Sequence, residues 1–231
     1  MGLLTVEIFE ILKLHKESRI ENASLCMMGK QNILIRNWNA FMEMVYSLGF
    51  SYDKEICKKL QETFPVLDAY SFFEMFGFKD VHAVDYSTYE GADIQFDLNG
   101  DNLPPDLTEK FDFVIDGGTL EHVFDPANAI KNMSGMVKQN GYIYHALPLA
   151  GYIDHGFYSF SPAFFLEYYD INHFRVQKIN FLVRTNGKAV FSQDCRLFED
   201  SARMNEYISY FLGGGDCIIT MYSSKVGKRY C

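Results

Sequence analysis

The chain has 231 residues, 48% hydrophobic and 22% charged, a mix that excludes wholesale disorder and allows roughly 70% of the unfolded surface to be buried in one core. Lys and Arg number 21 against 30 Asp and Glu, a formal charge of −9, so neither nucleic acid nor an anionic membrane surface is an expected partner. The five cysteines (Cys26, Cys57, Cys195, Cys217, Cys231) are odd in number and form no C-x-x-C pair, which argues against a disulfide framework or a cysteine-rich zinc site and suits a reducing, cytoplasmic setting.

Residues 4–17 carry an imperfect helical stripe (Val6, Ile8, Phe9, Ile11, Leu12, Leu14), which predicts a packing helix within an N-terminal segment 1–20. Glu7 and Glu10 interrupt this stretch and no basic leader precedes it, so a signal peptide is not expected. No run of 18 apolar residues predicts a membrane span. ASLCMMG (23–29) reads as a buried strand closed by a glycine turn.

The stretch 36–77 reads as two or three helical pieces. Phe41, Met44, Val45 and Leu48 share a face before a stop at Gly49. A second piece covers 53–63. A third covers 68–76, with Asp68 as its N-cap and Gly77 beyond its end.

VHAVDYS (81–87) and IQFDLN (94–99) are strand candidates, followed by a polar loop at 100–109. FDFVIDGG (111–118) is a nearly unbroken apolar run, which suits a strand buried on both faces. A helix is predicted over 126–138 with Pro126 in its first turn, and Asn140–Gly141 reads as a turn into a strand at 142–148. An aromatic loop spans 149–162. Helices are predicted at 163–169 and 199–212, and late strands at 176–184 and 217–223.

This alternation predicts one α/β domain: a mostly parallel central sheet with helices on both faces and a helical insertion after the first strand. In such sheets ligands bind beyond the carboxyl ends of the strands. Gly29, Asp85, Asp97, Asp116 to Gly118 and Pro148 fall there. An acid closing the second strand can accept both hydroxyls of a ribose, which singles out Asp85. Gly29 and the Gly117–Gly118 pair would let a ligand approach the backbone, although the pair equally suits a tight turn.

The block FDFVIDGGTLEHVFDPANAIKNMSGMVKQNGYIYHALP (111–148) resembles the class I S-adenosylmethionine-dependent methyltransferases. Weaker similarity at 81–99 and 23–29 extends the resemblance over about 23–165. It implies a Rossmann-like fold with S-adenosylmethionine as cofactor. Asp85 would bind the ribose diol, with Tyr86 beside the adenine. Asp97 and the backbone of Leu98 would meet the adenine amino edge. Asp116, Gly117 and Gly118 would line the methionine end, and His122 would face the transferred methyl group.

The family's first loop usually carries several glycines, whereas Gly29 stands alone here. Gly29 and Asp85 are 85 − 29 = 56 positions apart, against roughly 20 in a standard dinucleotide unit. The helical insertion 36–77 is expected to act as a lid that supplies the missing contacts. The alternative is a decayed site in a catalytically inactive binding or scaffold module.

The reaction implied is direct displacement, in which an acceptor oxygen or nitrogen attacks the methyl carbon in line with the departing sulfur. A hydroxyl acceptor must also lose its proton, and His122 and His155 are the candidate bases. Their rival readings are capping or packing for His122 and a structural loop role for His155. Asp97 also suits a turn, and Glu121 suits a first-turn carboxylate facing a helix dipole. His145, inside the fifth strand, reads as a core residue.

No tight metal-ligand spacing such as H-E-x-x-H occurs, so no metal is expected. No G-x-S-x-G, P-loop or G-x-G-x-x-G supports a hydrolase, an NTPase or a nicotinamide enzyme. The basic residues Lys225, Lys228 and Arg229 read as a solvated tail. The expected acceptor is a small molecule or a glycan, methylated on oxygen.

Overall fold

The computed structural model describes residues 2–52, 54–62, 64, 66–185, 188–191 and 216–226. The helix expected at 199–212, and Cys195, Lys228, Arg229 and Cys231, lie outside the described residues.

In chain order, strand β1 (Gly2–Leu4) leads into helix α1 (Thr5–Ser18), and β2 (Ser24–Met28) follows. The insertion holds β3 (Asn32–Leu34), α2 (Trp38–Ser47), α3 (Lys54–Glu62), β4 (Val66–Asp68) and α4 (Ala69–Met75). Then come β5 (Asp80–Asp85), β6 (Ile94–Gln95), β7 (Phe111–Asp116), a single 3-10 turn at Leu120–His122, α5 (Pro126–Met136) and β8 (Val137–Ala150). Helix α6 (Pro162–Ile171), β9 (Phe174–Thr185), β10 (Lys188–Phe191) and β11 (Asp216–Lys225) complete the described chain.

The main sheet has the order β10-β9-β11-β8-β7-β2-β5-β6. The five strands from β8 to β6 run parallel, and β11, β9 and β10 add antiparallel pairings at one side. Alternate residues of a strand face opposite sides. Leu25 and Met27 of β2 therefore join a core built with α1, α2 and α4, while Cys26 and Met28 join one built with α5 and α6. This is the mostly parallel sheet covered on both faces that the sequence predicts.

Several boundaries follow from side-chain caps. Asp68 accepts a hydrogen bond from the Ser71 N–H (3.0 Å) at the start of α4, as expected. Asn37 does the same for Ala40 (3.1 Å) at α2, and Asp125 for Asn128 (3.0 Å) at α5, whose first residue is Pro126.

Three expectations need correction. Asn140–Gly141 is no turn: β8 runs unbroken from Val137 to Ala150. Asn140 sits at φ 63°, and the register against β7 jumps between Phe111 and Phe113, so the pair forms a bulge. The candidate strand 94–99 pairs only at Ile94–Gln95, because Asp97 turns the chain. The insertion also contains strands. β3 pairs with β1 and β4 to form a separate three-stranded sheet, whose three-residue strands are too short for periodicity to announce.

His15 on α1 is only 8% exposed, stacked on Phe78 (4.1 Å between ring centroids) and edge-on to Phe113. Burial lowers its pKa from 6.5 to about 4. Between those values the unfolded chain takes up a proton that the folded ring refuses. Stability is therefore intact above pH 6.5 and falls as pH drops through the window, by on the order of 3 kcal/mol at pH 4. His15→Leu should flatten the pH dependence of the denaturant midpoint between pH 6.5 and 4.5. A variant that keeps the wild-type slope would show that the loss originates elsewhere.

Candidate functional site

The ends of three parallel strands are laced together. The Gly29 N–H donates to the Val84 carbonyl (2.7 Å), joining the end of β2 to β5. Gly29 holds φ +68°, a region that L side chains rarely adopt. The Thr119 hydroxyl donates to the Met28 carbonyl (2.6 Å), joining the loop after β7 to β2. Asp116 is fully buried: its Oδ1 accepts from the N–H groups of Thr119 (2.8 Å) and Leu120 (3.3 Å), and its Oδ2 lies 2.8 Å from His145 Nδ1. The other His145 nitrogen meets the Tyr169 hydroxyl at 2.6 Å, so His145 is a core residue as expected.

Above this lacing lies a cavity of about 330 Å³. Gly29, Asp85, Tyr86, Asp97, Leu98 and His122 all line it, so six of the expected residues meet at one place. Among the described residues no group hydrogen-bonds the Asp85 carboxylate, and its Oδ2 lies 3.7 Å from where a Cβ on Gly29 would stand. A ribose diol needs an acceptor of this kind. Asp97 makes a turn, its Oδ1 accepting from the backbone and side-chain N–H of Asn99 (2.9 Å each), and the residue also lines the cavity.

The sequence reading missed what fixes that loop. On α5, Asn132 Nδ2 donates to the Leu98 carbonyl (3.0 Å), and Asn128 Nδ2 donates to the carbonyls of Asn99 (2.8 Å) and Gly100 (2.7 Å). The available signal was two amides four residues apart on one helix face.

No described residue of 36–77, the insertion expected to act as a lid, lines this cavity. Lys30 and Gln31, just before β3, line it instead. Lys30 is held by Asp68 (3.2 Å) and lies over the Tyr70 ring, so the insertion reaches the cavity through this one side chain. Gln31 is buried and donates to the Met28 carbonyl (2.9 Å). Its amide occupies the space beside Gly117, where a Cβ would come within 2.8 Å of Gln31 Oε1.

Asp116 to Gly118 do not share the first cavity. The Asp116 carboxylate is turned inward to His145 and lines neither cavity. Gly117 and Gly118 line a second cavity of about 200 Å³, together with Leu3, Glu7, Glu121, Pro148 and His155.

Glu121 lines the second cavity, and its chain neighbour His122 lines the first. Glu121 is 1% exposed and sits in the 3-10 turn, where it is directed into the protein rather than toward a helix N-terminus. Its Oε1 lies 3.6 Å from His155 Nε2 and 3.9 Å from His122 Nε2, and the two imidazole rings are 5.0 Å apart. The Glu121 carbonyl accepts from the Phe157 N–H (2.6 Å), which pins the aromatic loop over the turn. Gly156 permits this contact, because a Cβ there would meet Glu121 Cγ at 2.8 Å. Burial first, and the Asp116 charge second, push the Glu121 carboxyl up to about 8. Burial, followed by the neighbouring His155, lowers the pKa of His122.

The expectation of no metal rested on ligand spacing along the chain. Folding nevertheless brings Glu121, His122 and His155 together, with one ligand-type atom of each within 4.8 Å of the others.

Residues 69–145 match the model of the methyltransferase domain family. No curated protein matches the chain. Among solved structures it is similar to a candidate methyltransferase from Bacillus halodurans, at 13% identity and TM-score 0.53, with 95% of this chain and 99% of that chain covered. It is also similar to the 1,6-didemethyltoxoflavin N1-methyltransferase of Burkholderia thailandensis, solved with 1,6-didemethyltoxoflavin and S-adenosylhomocysteine bound, at 14% identity and TM-score 0.47, covering 95% and 76%. A candidate S-adenosylmethionine-dependent methyltransferase from Listeria monocytogenes is similar at 9% identity and TM-score 0.48, covering 96% and 98%. The Bacillus protein shares the fold, and the family match spans the strands and turn that carry Asp85, Asp97 and His122. Residues 69–145 thus match a methyltransferase domain family, on a fold that the whole chain shares with the Bacillus protein.

Proposed function

We propose that the chain methylates a small-molecule or glycan-type acceptor on oxygen, with the cofactor in the 330 Å³ cavity and the acceptor in the 200 Å³ cavity. One observation carries this reading: the short turn ending at His122 is a wall of both cavities, with His122 in the first and Glu121 in the second. The two cavities thus lie on either side of one turn, the arrangement that transfer between them would use.

Bound in the first cavity, S-adenosylmethionine supplies a methyl group made electrophilic by its sulfonium. Asp85 accepts the ribose hydroxyls, and Gly29 lets the nucleoside approach the backbone. Tyr86 flanks the adenine, and Asp97 with Leu98 meets its polar edge. Gly117 and Gly118 line the second cavity, where the backbone can come close to a bound group. Asp116 does not touch the cofactor but holds the Thr119 turn in place.

The second cavity presents Glu7, Glu121 and His155, and among the described residues its lining holds no Lys or Arg. That chemistry suits a neutral acceptor rich in hydroxyl donors and disfavours an anionic one. Glu121, His122 and His155 lie where the acceptor proton must leave. No helix among the described residues is long and apolar enough to cross a membrane.

A thermal-shift measurement separates this reading from an inactive scaffold. S-adenosylhomocysteine at 100 times its dissociation constant adds about 2.7 kcal/mol, which raises the midpoint by roughly 5–10 °C for a chain of this size. NAD should leave the midpoint unchanged. No response to S-adenosylhomocysteine would leave a scaffold. For the acceptor side, His155→Ala should lower kcat by about 100-fold while S-adenosylhomocysteine affinity stays within about twofold of wild type. Full turnover in that variant would remove His155 from the chemistry.

A further inference from the structure

We propose that Glu121, His122 and His155 bind one divalent transition-metal ion of the zinc class where the two cavities meet. The catalytic meaning of the ion rests on reading the second cavity as the acceptor site; the binding site itself does not.

The geometry is close to what such an ion needs. Metal bonds of about 2.0–2.1 Å in a tetrahedral site place ligand atoms about 3.3–3.4 Å apart. Glu121 Oε1 already lies 3.6 Å from His155 Nε2 and 3.9 Å from His122 Nε2, and the ligand atoms of all three residues fall within 4.8 Å. Both distances are too long for hydrogen bonds, so the three groups converge without satisfying one another. The imidazoles can close the gap, because their side chains are 41% and 43% exposed. The carboxylate is the fixed member, with its backbone pinned by Phe157 and its Cγ packed against Gly156.

A second observation points to a cation. Glu121 Oε2 is buried and receives no hydrogen bond from any described residue. A buried carboxyl oxygen in that state has its lone pairs free to meet a cation. Two imidazoles and one carboxylate favour zinc, cobalt or nickel over magnesium or calcium, which prefer all-oxygen sites. Three protein ligands also leave a coordination position open, the arrangement of catalytic rather than structural zinc. Glu121 and His155 line the acceptor cavity, so an ion there can act as a Lewis acid toward an acceptor heteroatom.

Among the described residues His82 is flanked by two carboxylates, but both of its ring nitrogens are already hydrogen-bonded, to Asp93 (2.5 Å) and Asp80 (2.9 Å). It serves as the internal control.

Zinc is titrated into the metal-stripped full chain by calorimetry under reducing conditions, and cobalt binding is followed by its visible absorption. One equivalent should bind, and cobalt should show the bands of a low-coordinate site with nitrogen and oxygen ligands. His122→Ala and His155→Ala should each weaken zinc by about 100-fold or more, Glu121→Gln by at least about tenfold, and His82→Ala not at all. Wild-type affinity in His155→Ala, sulfur-to-cobalt charge-transfer bands, or loss of the equivalent in His82→Ala would each overturn the site. Stabilisation of His155→Ala by S-adenosylhomocysteine confirms that the variant is folded. If the wild-type chain is stabilised by S-adenosylhomocysteine but binds no zinc, the metal site fails and the methyltransferase reading stands. Zinc binding without that stabilisation gives the reverse result.

Discussion

Asp85→Ala is expected to weaken S-adenosylhomocysteine binding at least tenfold without measurable loss of stability. The carboxylate closes β5, lines the first cavity and is hydrogen-bonded by no described group. Its bonding capacity is therefore free for a ligand. Two hydrogen bonds to an ionised acceptor are worth about 1.5–3 kcal/mol each. Competing water lowers this at a half-exposed site, which sets the floor at tenfold. Since Asp85 supports none of the protein's own contacts, its removal should shift stability by only about 0.5 kcal/mol. Asp85→Asn keeps one acceptor but offers a donor to the second hydroxyl, so it should fall between the two. Calorimetric titration of the three proteins checks the order. Equal affinity in all three would place the ribose elsewhere.

Asp116→Ala should have the opposite profile, with a large loss of stability. Both carboxylate oxygens are engaged, and the residue is completely buried. Truncation leaves His145 Nδ1 and the N–H groups of Thr119 and Leu120 without their partner. Breaking a buried pair of this kind costs about 3–5 kcal/mol. At this chain length that lowers the thermal midpoint by roughly 6–20 °C. The loop from Gly117 to His122 would lose its anchor, so cofactor affinity should fall as well. Asp116→Asn should be milder, because its amide oxygen still accepts from Thr119 and Leu120 while His145 can change tautomer to accept from the amide. Urea unfolding of both variants tests the ranking. Wild-type stability in Asp116→Ala would show that the His145 pair adds nothing.

The strands were legible because each carries its own signal. FDFVID is apolar throughout since both faces are covered, and Asp85 marks the end of β5 because a charge there reaches the surface. The six residues of the first cavity were legible for a related reason: they all lie at strand ends, which sequence order brings together in any parallel sheet. What stayed hidden depends on pairings between distant segments. Nothing local announces that Gln31 packs beside Gly117, or that the strand at Asn32–Leu34 pairs with both Gly2–Leu4 and Val66–Asp68. Asp116 was expected at the pocket from its place at a strand end and from the resemblance, and nothing local announces that its carboxylate pairs with His145 on the adjacent strand, 29 residues on. Glu121 looked like a helix-end carboxylate because a helix was expected to begin near it. The chain instead makes a single 3-10 turn there, and the loop through His155 folds back over it.

The central claim is that a nucleoside lies across the ends of β2 and β5, held by Asp85. A crystal structure of the chain grown with S-adenosylhomocysteine tests this most directly. The account predicts both ribose hydroxyls within hydrogen-bond distance of the Asp85 carboxylate and the sulfur at the turn that ends in His122. Ligand density in any other cavity, or an Asp85 carboxylate that still touches only water with the ligand bound, would contradict it.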